Sequence, residues 1–346
     1  MPLRALFNNV EIHSYEFDAL QWQKLKQEYK KQSLIMACCG QNGIPKVSKL
    51  NNFYFAHKSR SDCLCAKESA EHLYLKFLIA RIAHESGWDV TTEKQGETQN
   101  GETWIADVFC TKNKAKLVFE VQISQQTDSE FEERQSKYIT SGIRALWLRK
   151  LRKRSEQYGG GIYRDPDLPV FGLRQNENGD FYLPQFGVSV EEFITGVFNK
   201  KLSWVPKTGE TLTAKMIPGN LHCWRCKKLT GVITGLSISN SSGVELCYLP
   251  FSYDDAKDLI NDHADLKRLA SLNIGAVKPR YSKTVGASYL SNGCIHCDAI
   301  MGDFFLHDAE TGNTDNGCIE FKFINNGAVH LENSWLFDGR RPKPFF

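Results

Sequence analysis

Apolar residues in "ESAEHLYLKFLIARIAHESG" (68–87) recur with helical spacing. Leu75, Leu78, Ile79 and Ile82 stand at i, i+3, i+4 and i+7, and Gly87 ends the run, the pattern of a helix with one buried stripe. Downstream the period changes. "WIADVFC" (104–110) and "KLVFEVQIS" (116–124) read as strands joined by a lysine-rich turn. "TDSEFEERQSKYITSG" (127–142) predicts a helix capped by Thr127 or Asp128 and stopped at Gly142. "IRALWLRK" (143–150) returns to strand, "PVFGLR" (169–174) and "DFYLPQ" (180–185) suggest a hairpin, and "SVEEFITGVFNKK" (189–201) is an amphipathic helix. The glycine run 159–161 interrupts the order. Ahead of this block, 18–32 reads as a polar helix and "NNFYFAHK" (51–58) as a strand. Helix, strand, strand, helix, strand with short connections predicts a mixed α/β fold, a central sheet flanked by helices.

Two carboxylates interrupt the apolar strands. In "LVFEVQIS" the positions Leu117, Phe119, Val121 and Ile123 make one apolar face, which leaves Val118, Glu120, Gln122 and Ser124 on the other. Asp107 in the preceding strand is placed to sit beside Glu120. Extending the helical stripe backwards adds Glu71 and Glu68, four and seven residues before Leu75. Glu71, Asp107 and Glu120 are thus expected to converge. Carboxylates held close raise one another's pKa unless a cation joins them, and an all-oxygen set suits a hard divalent ion, Mg²⁺ or Mn²⁺. A plainer reading stays open. Glu71 would then serve the helix dipole, and Asp107 and Glu120 would lie on a solvated face of an antiparallel sheet.

Composition changes this picture little. In 346 residues, 43 Lys and Arg nearly cancel 40 Asp and Glu, so basic character must be local, as in "WLRKLRKR" at 147–154. No apolar run is long enough for a membrane span and the N-terminus lacks a signal-peptide pattern. The expectation is a cytosolic protein without a membrane partner. Eleven cysteines in that setting point to metal binding or buried thiols rather than a disulfide framework.

"FAHKSRSDCLCAKESAEHLYLK", followed by "IADVF", "FEVQIS", "RQSKY" and "ALWL", resembles the competence protein CoiA family over roughly residues 50–200. That resemblance implies a nuclease-like domain of the PD-(D/E)XK superfamily. It makes Asp107 and Glu120 the catalytic metal ligands and Glu71 the helix carboxylate that completes the site. Gln122 then occupies the place where the superfamily often has lysine, and Lys76 or Lys94 are candidates to supply the missing charge. On the second helix Phe131, Arg134, Gln135 and Tyr138 share a face; Arg134, Gln135 and Tyr138, with His72 and Lys76, are the expected nucleic-acid contacts, while Phe131 packs or stacks beside them. Arg134 has an alternative partner in Glu130, four residues away. The family pattern has a second histidine before Phe55, where this chain has Tyr54. His57 reads as a buried, hydrogen-bonded residue.

"HCWRCKK" (222–228) and "NGCIHCDA" (292–299) each hold a Cys-x-x-Cys. Two such pairs predict a tetrahedral zinc site of Cys223, Cys226, Cys294 and Cys297 in a zinc-ribbon-like domain, with a helix at 253–271 inserted between them; thioredoxin-like pairs or plain thiols are the alternatives. Where the family carries an N-terminal Cys-x-x-Cys this chain has Cys38 and Cys39, then Cys63 and Cys65. A metal there requires a bent backbone, since neighbouring strand residues point apart. Cys110, Cys247 and Cys318 stand outside both patterns. The expected divisions are a β-rich segment (1–60), a nuclease-like domain (61–204), a linker (205–220) and a zinc-binding domain (221–346).

The leading function is metal-dependent hydrolysis of DNA in competence-type processing, recombination or defence against foreign DNA. A catalytically silent nucleic-acid-binding module that works with a partner enzyme is the second, and an RNA-directed enzyme the third. DNA is the expected partner, beside a partner protein or a second copy of the chain.

Overall fold

The computed structural model describes residues 2–59, 63, 68–124, 126–151, 165–311, 319–331 and 333–342. Cys65, Cys318, the basic residues 152–154 and the glycine run 159–161 lie outside the described residues. By internal contacts the chain divides into Met1–Ser203 with Trp335–Phe346, and Trp204–Ser334.

The first unit begins with β1 (Arg4–Phe7), β2 (Val10–His13), α1 (Ala19–Glu28) and β3 (Leu34–Met36), then a hairpin of β4 (Gly43–Val47) and β5 (Phe53–His57). A reciprocal capping box starts α1: Gln21 N–H donates to the Asp18 carboxylate, and the Gln21 side chain accepts from Asp18 N–H. Trp22, Leu25, Leu34, Met36 and Phe55 pack into a small core of their own, with Trp22 stacked on Phe53 at 4.8 Å.

The main sheet is built by β6 (Asp89–Glu97), β7 (Thr103–Lys112), β8 (Ala115–Gln122), β9 (Arg144–Lys150), β10 (Val170–Gln175), β11 (Phe181–Leu183) and β12 (Val188–Ser189), in the order β12-β11-β10-β9-β8-β7-β6. β6, β7 and β8 form an antiparallel meander; β8, β9 and β10 run parallel, with α3 (Asp128–Thr140) crossing over between β8 and β9. α2 (Ala70–Glu85) precedes the sheet and α4 (Val190–Phe198) follows it. On one face Val108, Phe119, Val121, Leu148 and Phe171 pack against Leu73, Ile79 and Phe193 of α2 and α4. On the other, Val118, Ala145 and Trp147 meet Phe131 and Tyr138 of α3. A sheet covered on both faces needs apolar residues at consecutive positions of its central strands, and residues 118–121 of β8 are all buried. The mixed α/β expectation holds.

Strand β6 was not legible from periodicity. "DVTTEKQGE" is polar because it lies at the sheet edge, half exposed.

β13 (Leu202–Val205) carries the chain from the first unit to the second. β14 (Thr211–His222), β15 (Leu229–Ser239), β16 (Glu245–Pro250), β20 (Glu310–Thr311) and β21 (Glu320–Ile324) build a second sheet around β14. The run 205–220, expected to be a linker, is therefore largely strand. Leu212, Ala214 and Met216 alternate inward and are buried, and a register shift at Ile217/Pro218 accommodates the proline. The single helix expected at 253–271 is two, α5 (Asp254–His263) and α6 (Leu266–Ser271). Ala264 leaves the helical region at ψ 114°, and the Asp265 side chain caps the new start by accepting from Lys267 and Arg268 N–H. β17 (Lys278–Ser282), β18 (Ala287–Gly293) and β19 (Ile300–Met301) follow. The cysteine pairs thus flank sheet strands as well as helices, a larger insertion than a zinc ribbon with one added helix.

Candidate active site

A cleft of about 1100 Å³ is lined by Glu68, His72, Lys94, Asp107, Gln122 and Ser124 among others. A break in β7 creates it. Ala106 packs in the cluster on the α3 face, whereas Val108 packs on the α2 face, so the regular alternation of the strand fails at Asp107. Opposite, Glu93 has φ 54° between the pairs Thr92↔Val108 and Lys94↔Ala106. The β7–β8 ladder ends at Val108↔Phe119, and the strands part before Asp107. Two backbone groups near the gap find side-chain partners: Val121 N–H donates to Asp107 Oδ2 at 2.9 Å, and the Ile105 carbonyl lies 3.2 Å from the Tyr138 hydroxyl.

Asp107 and Glu120 come together as expected. The Asp107 charge acts on the Glu120 carboxyl. Burial first, and then the Asp107 charge, push the Glu120 carboxyl up to about 8. Glu120 is 1% exposed and held from α3: Tyr138 Oη–H donates to Oε1, and Arg134 Nη2 to Oε2 at 2.6 Å. Arg134 also lies over the Trp147 ring at 4.7 Å.

His72 approaches Asp107 Oδ2 through Nε2 at 3.2 Å and contacts Glu68 through Nδ1. Burial pushes its pKa down, but hydrogen bonds and charge from Asp107 and Glu68 outweigh this and raise it to about 9. Burial likewise opposes ionisation of Asp107, but His72, Lys76 and Val121 N–H hold the carboxyl well below the usual range. Lys76 Nζ lies 2.7 Å from both Glu68 and Glu93. Ion pairs join the side chains into two neighbouring sets, Glu93–Lys76–Glu68–His72–Asp107 and Glu120–Arg134, of four acids and three bases in all. With a proton on Glu120 the charges balance. Once that proton leaves, the group holds one excess negative charge.

Several expected roles move. Glu71 does not join the carboxylates: both its oxygens accept from Lys150 Nζ, at 2.7 and 2.6 Å. Glu68, one turn away, faces the cleft instead, and with Glu93 it is a site residue that the sequence reading passed over. Its signal was visible in the four-residue spacing of Glu68, His72 and Lys76. Lys76 is 2% exposed and consumed by two ion pairs, so it is not positioned to contact nucleic acid or to replace the missing lysine. Gln135 is buried, donating to Asp167 O at 2.6 Å and accepting from Trp147 Nε1 at 2.7 Å. Tyr138 is buried on Glu120. Arg134 is paired with Glu120 rather than with Glu130 or an open surface. Arg134 and Tyr138 on the shared face of α3 clamp the Glu120 carboxyl. Gln122 lines the cleft with its amide donating to Ser124 O and Oγ, each at 2.9 Å. Exposed Lys94 lines the same cleft.

Removing the Lys76 charge takes away the cation that Glu68 and Glu93 share. Lys76→Ala is expected to lower unfolding free energy by about 3–5 kcal/mol, the cost of breaking a buried ion pair, read as a fall in the urea midpoint at unchanged slope. A loss below about 1 kcal/mol, the range of exposed pairs, would show that solvent screens the cluster.

In the second unit Cys223, Cys226, Cys294 and Cys297 place their sulfurs within 4.8 Å of one another, with Cys223–Cys297 and Cys226–Cys294 both at 3.6 Å. Ligands about 2.3 Å from a tetrahedral ion lie about 3.8 Å apart. The two pairs sit in matching turns. Cys223 N–H donates to Lys228 O and Lys227 N–H to Cys223 O, as Cys294 N–H does to Ala299 O and Asp298 N–H to Cys294 O, all at 2.9 Å. Lys227 (φ 63°) and Asp298 (φ 56°) occupy equivalent left-handed positions. Desolvation opposes ionisation of Cys223, yet N–H groups of Cys226 and Arg225 bring its thiol down to about 7. This arrangement can hold a metal such as zinc.

Residues 68–211 match the family model of the competence protein CoiA, nuclease-like domain. Over this stretch the chain is similar to the CoiA nuclease-like domain. The match begins at Glu68, the acid that anchors His72 and Lys76, and contains all seven strands of the main sheet. The CoiA resemblance read from the motifs is borne out over this stretch. No curated protein matches the chain significantly. Among the described residues no helix is long and apolar enough to cross a membrane.

Proposed function

We propose that the CoiA-like domain hydrolyses DNA phosphodiester bonds, using Mg²⁺ or Mn²⁺ held by Asp107 and Glu120 in a PD-(D/E)XK-type arrangement. The carrying observation is the carboxyl pair at the parted strands, where burial first and the Asp107 charge second push the Glu120 carboxyl up to about 8. Such crowding is relieved by a cation, and oxygen donors favour a hard one. A divalent ion bound there supplies Lewis acidity toward the phosphodiester and acidifies water. The protein residues do the positioning. His72 orients Asp107 from the α2 side, Arg134 and Tyr138 fix the Glu120 carboxyl from α3, and Lys94 offers a cation to the phosphate backbone. Zinc at the four cysteines of the second unit is structural in this reading. The cellular setting is competence-type DNA processing, recombination or defence against foreign DNA.

A silent nucleic-acid-binding module is the second reading. Gln122 leaves it open, standing where the superfamily often has lysine and donating its amide to Ser124. Digestion of plasmid DNA, single-stranded DNA and RNA by the full chain, in Mg²⁺, Mn²⁺ or EDTA, separates the readings. Cation-dependent cutting of DNA supports hydrolysis. Binding that ignores the cation and never cuts supports the silent module, and preferential RNA cleavage supports an RNA-directed enzyme.

Cation affinity should rise with pH. Without metal, Glu120 holds a proton up to about pH 8 and His72 up to about pH 9. A cation competing with those protons therefore binds more tightly as pH climbs from 6 to 9 and gains little above. Mn²⁺ titration by calorimetry at pH 6.5 and 8.5 measures this; equal affinity at both would contradict ligation at these acids.

A further inference from the structure

A second group of metal-binding side chains lies at the rim of the cleft. We infer that Cys38, Cys39, His57 and Cys63 bind a structural zinc ion of their own. Their ligand atoms all lie within 4.8 Å of one another. Cys38 Sγ is 3.8 Å from both Cys39 Sγ and Cys63 Sγ, and Cys39 Sγ is 3.1 Å from His57 Nε2. A zinc tetrahedron with bonds of about 2.3 Å to sulfur and 2.0 Å to nitrogen has edges of about 3.5–3.8 Å. The cysteines are free of disulfides, and 3.8 Å is nearly double the roughly 2.05 Å of an S–S bond.

The fold supplies the bend that adjacent cysteines need. Cys38 and Cys39 sit in the turn between β3 and β4, where Cys39 and Gly40 N–H both donate to Met36 O, at 3.3 and 2.9 Å, and Gly40 takes φ 70°. His57 is fixed at the end of β5 by its pairing with Gly43. Cys63 comes from the segment ahead of α2. Three thiols and one imidazole from separate segments therefore meet at a point. With four protein ligands such a site is closed and structural rather than catalytic. Cys38 and Cys63 also line the cleft that contains His72 and Asp107, so the ion would stiffen its wall. The inference stands apart from the nuclease reading, because its readout is metal content.

Full-length protein purified without chelators should contain about two zinc ions per chain, one for each four-ligand set. Cys39→Ser and His57→Ala should each lower this to about one, and Cys226→Ser should remove the other. His57→Cys preserves four donors and should keep both ions, while its cobalt-substituted form gains sulfur-to-metal charge-transfer absorption. Should either variant fail to fold, the cobalt spectrum of the unsubstituted chain decides, since a Cys₃His site adds bands distinct from those of Cys₄. A single zinc lost with Cys226→Ser but insensitive to Cys39→Ser and His57→Ala would overturn the proposal, as would a cobalt spectrum of the Cys₄ type alone.

Discussion

Glu120→Gln is expected to leave a folded protein that no longer responds to divalent cations. Below about pH 8 the wild-type side chain is already neutral, so the amide reproduces its charge and shape. The local hydrogen bonds can adjust. The Gln oxygen accepts from Arg134, and the amide donates to the Tyr138 hydroxyl, which turns its own proton to the Ile105 carbonyl that it already contacts at 3.2 Å. What disappears is the anionic oxygen a metal requires. Cation-dependent DNA cleavage should fall at least about 100- to 1000-fold, comparable to losing one preorganised electrostatic group at an active site. The Mn²⁺-induced rise in melting temperature should vanish while the metal-free melting temperature stays within a few degrees. Asp107→Asn should silence cleavage equally. Wild-type cutting by Glu120→Gln would remove Glu120 from the site and with it the proposed chemistry.

Loss of metal from the four cysteines of the second unit carries the largest expected effect on stability. Cys223 and Cys294 are buried with Val232, Ala299 and Met301 in a cluster that surrounds the sulfurs. Structural zinc sites of this type contribute about 10–16 kcal/mol of binding free energy, all of it coupled to folding. That exceeds the net stability of an ordinary domain. Cys226→Ser, or prolonged chelation, should abolish the cooperative unfolding transition of Trp204–Ser334 and expose its strands to protease. The first unit should keep its own transition. Retention of both transitions after zinc is shown to be gone would mean that the cysteines merely pack.

Much of this architecture could be read from residue order. The α2 stripe, the alternation in β8 and the two Cys-x-x-Cys pairs each carry a local physical signature, and each appears where its signature places it. The failures share one cause: they turn on partners distant in sequence. Glu71 and Glu68 both sit at stripe spacing, and only the arrival of Lys150 from β9 decides that Glu71 turns away. A lysine inside an apolar helix face looks exposed until Glu93 arrives from β6 to pair with it. Arg134, Gln135 and Tyr138 were grouped correctly on one face but aimed outward. Phe131, fully buried on that face, carried the contrary signal, since a stripe containing two large aromatics faces the sheet. His57 offers no local cue to its contact with Cys39, which reaches it at 3.1 Å from a turn earlier in the chain.

The parting of β7 from β8 has a practical corollary. Asp107 and Tyr138 act as a wedge, capping amide and carbonyl groups through which the two strands would otherwise zip further together. An alanine at Asp107 withdraws the wedge along with the charge, so the empty groove invites re-registration of the hairpin. Isosteric replacement is the cleaner probe, because it removes the charge and keeps the hairpin propped open.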